Sequence, residues 1–517
     1  MNGSRIHRWL KQKLPNPNIR KKTNFLPGPA DQNDTVRSNG WVELDELAMS
    51  LIGKTHCLIA SICVGLWIGG VSTACGQTVP DPQLPVAANE AAQEEGHAQQ
   101  PSLAERIDRI EMELLDGKRG PAFSPSWKNG LYFESASGDF RARFGGRIEQ
   151  DWLWITGDDG LETAVGTLED GVFFRRARIQ GNGTIYGIID YFAEFEFAPV
   201  ENIVFQDVWI QLNQLGWIGK LRAGHLKVPF GLDNETSARH LTFLERSAVH
   251  DAFQQEYDPG IMVWNNFFND DFRYAVSYLR FDPRESGTSL GNGQHSFAAR
   301  VSGAPFHSQD DRRLIHLGGA IRINDATTDN SSGLDGFRFR ARPEFRNTPR
   351  YVDTGFFEAD GAVFLGAEAA IVADSFSLQG EYVSTMVSDA VSPAMVPLGD
   401  VHFSGYYVQA SYFLTGEHRP YSRSNGAFGR INPINPVKKL GSSGICWGGA
   451  MELKARYSHV DLIDGSIDGG ELENGILGLN WYLVPNAKVM CDYIWTRRTA
   501  AVSGDSHGFG MRMYVEF

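Results

Sequence analysis

The chain is poor in cysteine. Three of its five cysteines, Cys57, Cys63 and Cys75, lie in one apolar stretch, and the body holds Cys446 and Cys491. That distribution excludes a disulfide framework and a cysteine-ligated metal centre. Long apolar runs are scarce as well. Mean hydropathy is −0.28, and the run from Cys57 to Val71 falls short of the roughly 20 residues that a membrane-spanning helix needs. Positive charge is in deficit: 48 Lys and Arg against 62 Asp and Glu give a formal net charge of −14, which argues against a nucleic-acid partner. An anion pore stays open, because pore selectivity depends on charges in the lumen rather than on the total. No His-Glu-x-x-His or paired Cys-x-x-Cys occurs and the 13 histidines are scattered, so no metal or other cofactor is expected. Gly181-Asn-Gly-Thr-Ile-Tyr-Gly187 lacks the lysine of a phosphate-binding loop and reads as a strand end and turn.

What the chain has is glycine (56 residues), aromatics (12%) and alternation. In its last stretch Phe509, Met511, Met513, Val515 and Phe517 share one parity, and Gly508, Gly510, Arg512, Tyr514 and Glu516 the other. Period 2 marks a strand with one apolar and one polar face. An amphipathic strand ending on Phe517 resembles the ending of outer-membrane β-barrels, which the barrel assembly machinery reads. Hydropathy scans miss such barrels because only alternate residues face lipid.

Alternating segments separated by Gly-, Asp- and Asn-rich connections recur back to about Phe140. The first eight expected strands are 139–156, 171–184, 188–198, 203–212, 220–226, 260–266, 272–281 and 295–303. The second eight are 314–323, 361–373, 376–386, 403–415, 450–460, 474–483, 488–496 and 505–517. The fold class is therefore all-β: a transmembrane antiparallel barrel of 16 strands, an even number as in bacterial single-chain barrels. Residues 157–170, 281–294, 387–402 and 461–473 read as longer connections. Phe337–Phe345 also alternates, but an odd count and Pro343 place it inside one extracellular loop, 324–360. Residues 227–259 make a second long extracellular loop, and 416–449 a long periplasmic connection. Connections this long are usually functional, and the lumen is the place for them.

Three regions follow. Residues 1–76 comprise an N-terminal extension and a secretory signal, with Met49 as the expected true start and cleavage after Ala74 or Gly76. Residues 77–130 are a Pro-, Ala-, Glu- and Gln-rich periplasmic linker with a short helical or coiled-coil segment, in which Leu103, Ile107, Ile110 and Leu114 recur at 4-3-4 spacing. Residues 131–517 form the barrel.

Several stretches resemble the phosphate-selective porin family, porins O and P. They are Phe173-Phe-Arg-Arg-Ala-Arg-Ile179, Gly224-His-Leu-Lys-Val-Pro-Phe-Gly-Leu232, Leu241-Thr-Phe-Leu-Glu-Arg-Ser247, Phe337–Glu344, Tyr412–Tyr421 and Gly478–Asn486. The similarity runs from about Leu131 to Phe517. It implies a homotrimeric, sixteen-stranded outer-membrane porin with inward-folded loops and an N-terminal coil. The function it implies is passive passage of small anions such as phosphate, without catalysis.

An anion pore needs fixed cations in several weak sites, and arginine suits oxyanions because its planar fork stays charged. Arg141, Arg143 and Arg147 share a parity in the first strand, and Arg176 and Arg178 in the second, where Arg175 breaks the pattern. Arg338, Arg340, Arg342 and Arg346 form a stripe in the long loop, and Lys454 and Arg456 another in strand thirteen. The periplasmic connection adds Arg419, Arg423, Arg430, Lys438 and Lys439. Lys227, Arg239 and Arg246 stand near an expected constriction, with Glu245 and Asp251 close by. Against this ladder, Glu149, Glu194, Glu196, Glu344 and Glu452 sit on inward parities and are placed to neutralise it. Membrane lipid and lipopolysaccharide are the other expected partners, the latter at the acidic stretch Asp464–Glu473. The alternatives are a porin of the same fold that is non-selective or passes organic solutes, a barrel phospholipase, which needs a Ser-His pair, and an envelope anchor.

Overall fold

A computed structural model describes residues 123–517 except 199–202, 254–256, 281–293, 329–334, 393–395 and 439–447, together with the helical positions Ile107, Asp108 and Met112. The expected signal, the linker, most of the 103–115 segment and Lys439 lie outside the described residues. The wall begins with β1 (Arg141–Gly157), β2 (Gly171–Ile185), β3 (Ile189–Glu196), β4 (Val204–Leu212), β5 (Lys220–Lys227), β6 (Tyr257–Phe267), β7 (Phe272–Arg280) and β8 (His295–His307). It continues with β9 (Arg313–Asp325), β10 (Gly361–Ala373), β11 (Phe376–Val391), β12 (Pro397–Phe413), β13 (Ala450–Asp464), β14 (Ile467–Val484), β15 (Ala487–Thr499) and β16 (Gly504–Glu516). Each strand pairs antiparallel with the next. β16 pairs with β1 from Glu516↔Arg147 to Ser506↔Gly157, closing the barrel at sixteen strands. Closure removes the sheet edge, so every wall strand has a hydrogen-bonded neighbour on both sides.

The alternation is inside out relative to a soluble domain. Phe174, Ile179, Ile210, Leu365, Leu477 and Met513 are exposed on the outer face, while Arg147, Glu149, Asp151, Arg176 and Arg512 are buried within. Apolar residues outside and charged ones inside suit a wall that meets lipid. Two expected connections prove to be strand. β11 and β12 extend until only 392–396 joins them, and β13 and β14 until only Gly465 and Ser466 remain. Their pattern carries on through bulges at Val387/Ala390 and Asp461/Ile463, and Gly465 takes the turn at φ 57°.

At the rim that carries Phe517 (the near rim), Phe517 N–H donates to Gly146 O at 3.0 Å and Phe517 O accepts from Gly146 N–H at 2.7 Å. A hairpin of Phe123–Trp127 and Leu131–Ser135 continues the sheet there, pairing with Arg141–Phe144. The described part of the 414–449 connection spans this mouth. Arg423 bonds Asp271 on one side at 2.9 Å, and Arg430 bonds Glu516 on the other at 2.6 Å.

From the far rim, two connections fold into the lumen. The first, 228–256, is fastened by its backbone: Leu232 and Asp233 N–H donate to Glu381 (3.0 and 2.6 Å), Leu244 N–H to Asp492 (2.9 Å) and Ala248 N–H to Glu344 (2.9 Å). Side chains from β5, β13, β14, β15 and β16 reach its carbonyls, including Lys454 to Thr242 O and Arg512 to Leu244 O. The second, 326–360, alternates Phe337, Phe339 and Ala341, all buried, with exposed Arg338 and Arg340. Phe337, Phe339 and Phe357 pack with Phe253, Phe364 and Phe403 into an aromatic core inside the barrel. Burying each phenylalanine is worth about 2–3 kcal/mol, which offsets the ordering of so long a loop.

Candidate functional site

The loop 228–256 brings its tip against β1, β2, β3 and β16, and there the inward charges meet. Arg512 forks onto Asp151 (2.6 and 2.7 Å), reaches Glu245 at 2.9 Å and lies 3.1 Å from Glu149. Arg176 bonds Glu149 at 2.6 Å. Arg178 joins Glu196 (2.6 Å) to Glu194 (2.8 Å), and Arg147 lies 3.5 Å from Glu194. Arg239 from the loop bonds Glu194 at 2.6 Å and approaches Glu516 at 3.5 Å. Glu516 also meets Arg430 (2.6 Å) and Arg143 (3.7 Å). Arg175 forks onto Glu245 at 2.5 and 2.8 Å.

Arg175 breaks the parity of its strand because the β1–β2 register shifts between Glu149 and Gln150, opposite Arg176 and Phe174. Such a bulge inserts one extra residue and turns it to the face of its neighbour. Two adjacent arginines thus reach the lumen.

Among the described residues the result is one connected network of eight guanidiniums (Arg143, Arg147, Arg175, Arg176, Arg178, Arg239, Arg430, Arg512) and six carboxylates (Glu149, Asp151, Glu194, Glu196, Glu245, Glu516). Cations outnumber anions by two. Arg147 Nε and Nη1, Arg176 Nε and Arg239 Nε are buried and donate no hydrogen bond among the described residues. Burial pushes the Glu245 carboxyl up, but Arg175, Arg512 and Arg176 outweigh it and hold it well below the usual carboxylate range. It therefore stays a fixed anion at the loop tip. Burial also pushes the His240 imidazole down, and Arg430, Lys488 and Arg239 push it further, to about 3, so it is neutral at physiological pH.

The remaining sequence candidates fall into other groups. Arg141 is exposed at the near mouth. Lys227 donates to Asn234 O at 2.8 Å, at the start of the inward loop. At the far mouth, Arg338 forks onto Asp353 (2.8 and 2.7 Å), Arg340 and Arg346 are exposed, and Arg342 donates to Thr348 O at 2.9 Å. Lys454 pairs with Asp492 at 2.6 Å, and Arg456 with Glu344 at 2.7 Å, both on the wall behind the loop. Burial pushes the Glu344 carboxyl up despite that arginine. Arg419 donates to Gln379 at 2.7 Å, with its guanidinium 3.5 Å over the Phe428 ring. Arg423 and Arg430 anchor the near-rim connection as above, and Lys438 is exposed there. The expected neutralisers Glu149, Glu194, Glu196 and Glu344 all form ion pairs, whereas Glu452 accepts from Asn480 and the Tyr482 hydroxyl (2.8 and 2.7 Å).

Three contributors were not singled out from the sequence. Arg512 lies on the polar parity of the last strand, which was a usable signal. Arg350, which pairs with Asp251, and Arg300, which pairs with Glu368 at 2.5 Å, had none. Ser506 and His507 are adjacent in β16 but face opposite ways: Ser506 bonds the buried Tyr351 hydroxyl (3.2 Å) and His507 the outward Tyr493 (2.8 Å). They make no Ser-His pair.

The sequence model of the family described as phosphate-selective porin O and P matches residues 153–517. Porin O of Pseudomonas aeruginosa is 25% identical over 425 residues, covering 75% of this chain and 91% of that protein. An uncharacterized protein of Caulobacter vibrioides is 27% identical over 394 residues, covering 72% of each. Among solved structures, the anion-selective porin from Comamonas acidovorans aligns at 12% identity with a TM-score of 0.46, covering 73% of this chain and 100% of that one.

Proposed function

The chain belongs to the phosphate-selective porin O and P family and is an outer-membrane porin rather than an enzyme; from that premise we propose that it conducts small oxyanions, phosphate among them, past the arginine network. The observation that carries this reading is the surplus of two guanidiniums in the network, with buried N–H groups left over. Arg147, Arg176 and Arg239 each hold a carboxylate and keep part of the fork free, so an anion gains a partner without being trapped. A row of such sites, each weakened by its own carboxylate, lets an ion enter and leave. Charge-assisted bonds to planar forks favour oxyanions, which match guanidinium geometry.

Capture begins at the far mouth. There Arg338, Arg340, Arg342, Arg346 and Arg350 outnumber Asp251 and Asp353, and a mouth with a surplus of positive charge concentrates anions. We place the far rim outside the cell and the near rim in the periplasm, with residues 77–130 there. Three barrels associate, helped by the 103–115 coil. Phe517 is the residue read by the assembly machinery, and the outer face meets lipid and lipopolysaccharide.

The test is the zero-current potential of the purified protein in a planar bilayer under a KCl gradient. A potential near the chloride limit, with chloride current blocked by added phosphate, is expected. A potential near zero would mean that the carboxylates cancel the surplus, leaving a porin without ion preference. A potential toward the potassium limit would end the anion reading.

A further inference from the structure

The first turn of the inward loop rests on a carboxylate that has no cation. Glu381 of β11 is buried on the lumen side and enters no ion pair among the described residues, whereas Glu344, Glu368 and Asp492 each hold one. Its partners are three donors. Leu232 N–H donates to Oε2 at 3.0 Å and Asp233 N–H to Oε1 at 2.6 Å, and the Tyr407 hydroxyl of β12 donates to the same Oε1. Such a cage suits an ionised carboxylate.

The charges around it act the other way. Glu368 of β10 lies directly opposite Glu381 in the register, and like charges so placed destabilise each other. Glu368 has its own partners: Arg300 of β8 holds it (3.0 and 2.5 Å) and His316 of β9 bonds it at 3.0 Å. From the loop, Asp233 sets a second carboxylate against Glu381. The cations nearby are turned to other groups. Arg456 of β13 lies 5.5 Å from the centre of the Tyr407 ring and pairs with Glu344, and Arg419 of the near-rim connection bonds Gln379 at 2.7 Å. Arg246 of the loop donates to the carbonyls of Asp233, Asn234 and Thr236. The three donors thus favour the ionised form of Glu381, and the two acids its protonated form.

We propose that Glu381 is the positioning residue of the inward loop, and that loss or gain of its proton seats or releases the turn Leu232–Glu235. Ionised, Glu381 accepts from both loop N–H groups at once. Protonated, one oxygen carries a hydrogen and turns it toward a donor, so at least one of the three bonds is lost. The rest of the loop stays fastened through Asp492, Glu344, Lys454 and Arg512, so the movement is confined to the first turn. That turn leaves the wall for the lumen and narrows the path. Leu232 packs with Ala427 and Phe428 of the near-rim connection, so the same movement disturbs the lining of the near mouth. The device needs a conducting barrel and is independent of which ion passes.

Single-channel conductance of the full-length porin in KCl, followed from about pH 9 to about pH 4, is the test. On acidification the conductance should fall in one titration step, with a rise in open-channel noise. Glu381→Gln turns an amide N–H toward the loop as the protonated acid turns its O–H, and should hold the low, noisy level across the whole range. Asp233→Asn removes one opposing charge and keeps an oxygen for the Ser247 N–H. It should move the midpoint down by roughly half a pH unit or more, which a contact of fixed charge would not do. A flat wild-type profile, or a wild-type step retained in Glu381→Gln, overturns the proposal. Should Glu381→Gln not assemble, Asp233→Asn decides alone, and an unmoved midpoint overturns the proposal equally.

Discussion

Replacing Arg239 by glutamine tests whether the surplus of two charges governs permeation. Arg239 sits on the inward loop rather than the wall, with a side chain 15% exposed. It bonds Glu194 and Gln180 and approaches Glu516. Glutamine keeps a hydrogen-bonding group there. Glu194 retains Arg147 and Arg178, and the loop backbone stays held through Lys488 to the carbonyls of residues 239 and 241. The fold should therefore survive while the surplus falls from two to one. A univalent ion passing about 5 Å from the lost charge loses roughly 1–3 kcal/mol, the range between watery and protein-like screening. That is about a five- to 150-fold fall in local anion preference. Under the KCl gradient the zero-current potential should move from the chloride side toward zero, and Arg239→Lys should restore most of it. A potential unchanged in Arg239→Gln, or displaced further toward chloride, would refute the assignment of selectivity to the network.

Other perturbations probe the lumen and its loops. A Cβ on Gly508 or Gly510 would overlap the Phe345 ring, so Gly510→Leu should push the 326–360 loop from the wall and raise single-channel conductance; unchanged conductance would show that this contact does not seat the loop. Lys454→Met leaves Asp492 buried without its cation. This should cost about 3–5 kcal/mol, read as a lower temperature of heat-modified migration, and K454M/D492L should recover most of it. Because the folded His240 binds its proton only near pH 3, and an unfolded histidine near 6.5, its contribution is complete above pH 6.5 and is lost as pH falls toward 3. By pH 4.5, about two units below the unfolded value, the loss should reach roughly 2.5–3 kcal/mol, and His240→Gln should flatten that part of the stability profile.

The sequence by itself determined the barrel. Period-2 alternation assigns each residue of a strand to lipid or lumen, and closure needs the strands without knowledge of what lies between them. All sixteen segments were therefore legible, as were the inward faces of Arg147, Arg176 and Arg178 and the three long connections. Periodicity also set limits. It cannot show a bulge, so Arg175 looked out of phase until the register opposite Glu149 turned it inward. Nor can it show which cations stay uncompensated, because ion pairs join residues far apart in the chain: Arg512 meets Asp151, and Arg239 meets Glu194. Net charge is silent for the same reason: a chain at −14 carries a network in which arginines outnumber carboxylates. Where the inward loops lie and which arginines keep a free N–H were decided by the tertiary structure alone. The physical reason is that alternation is a local property of the backbone, whereas electrostatic balance is a sum over neighbours that only the closed barrel brings together.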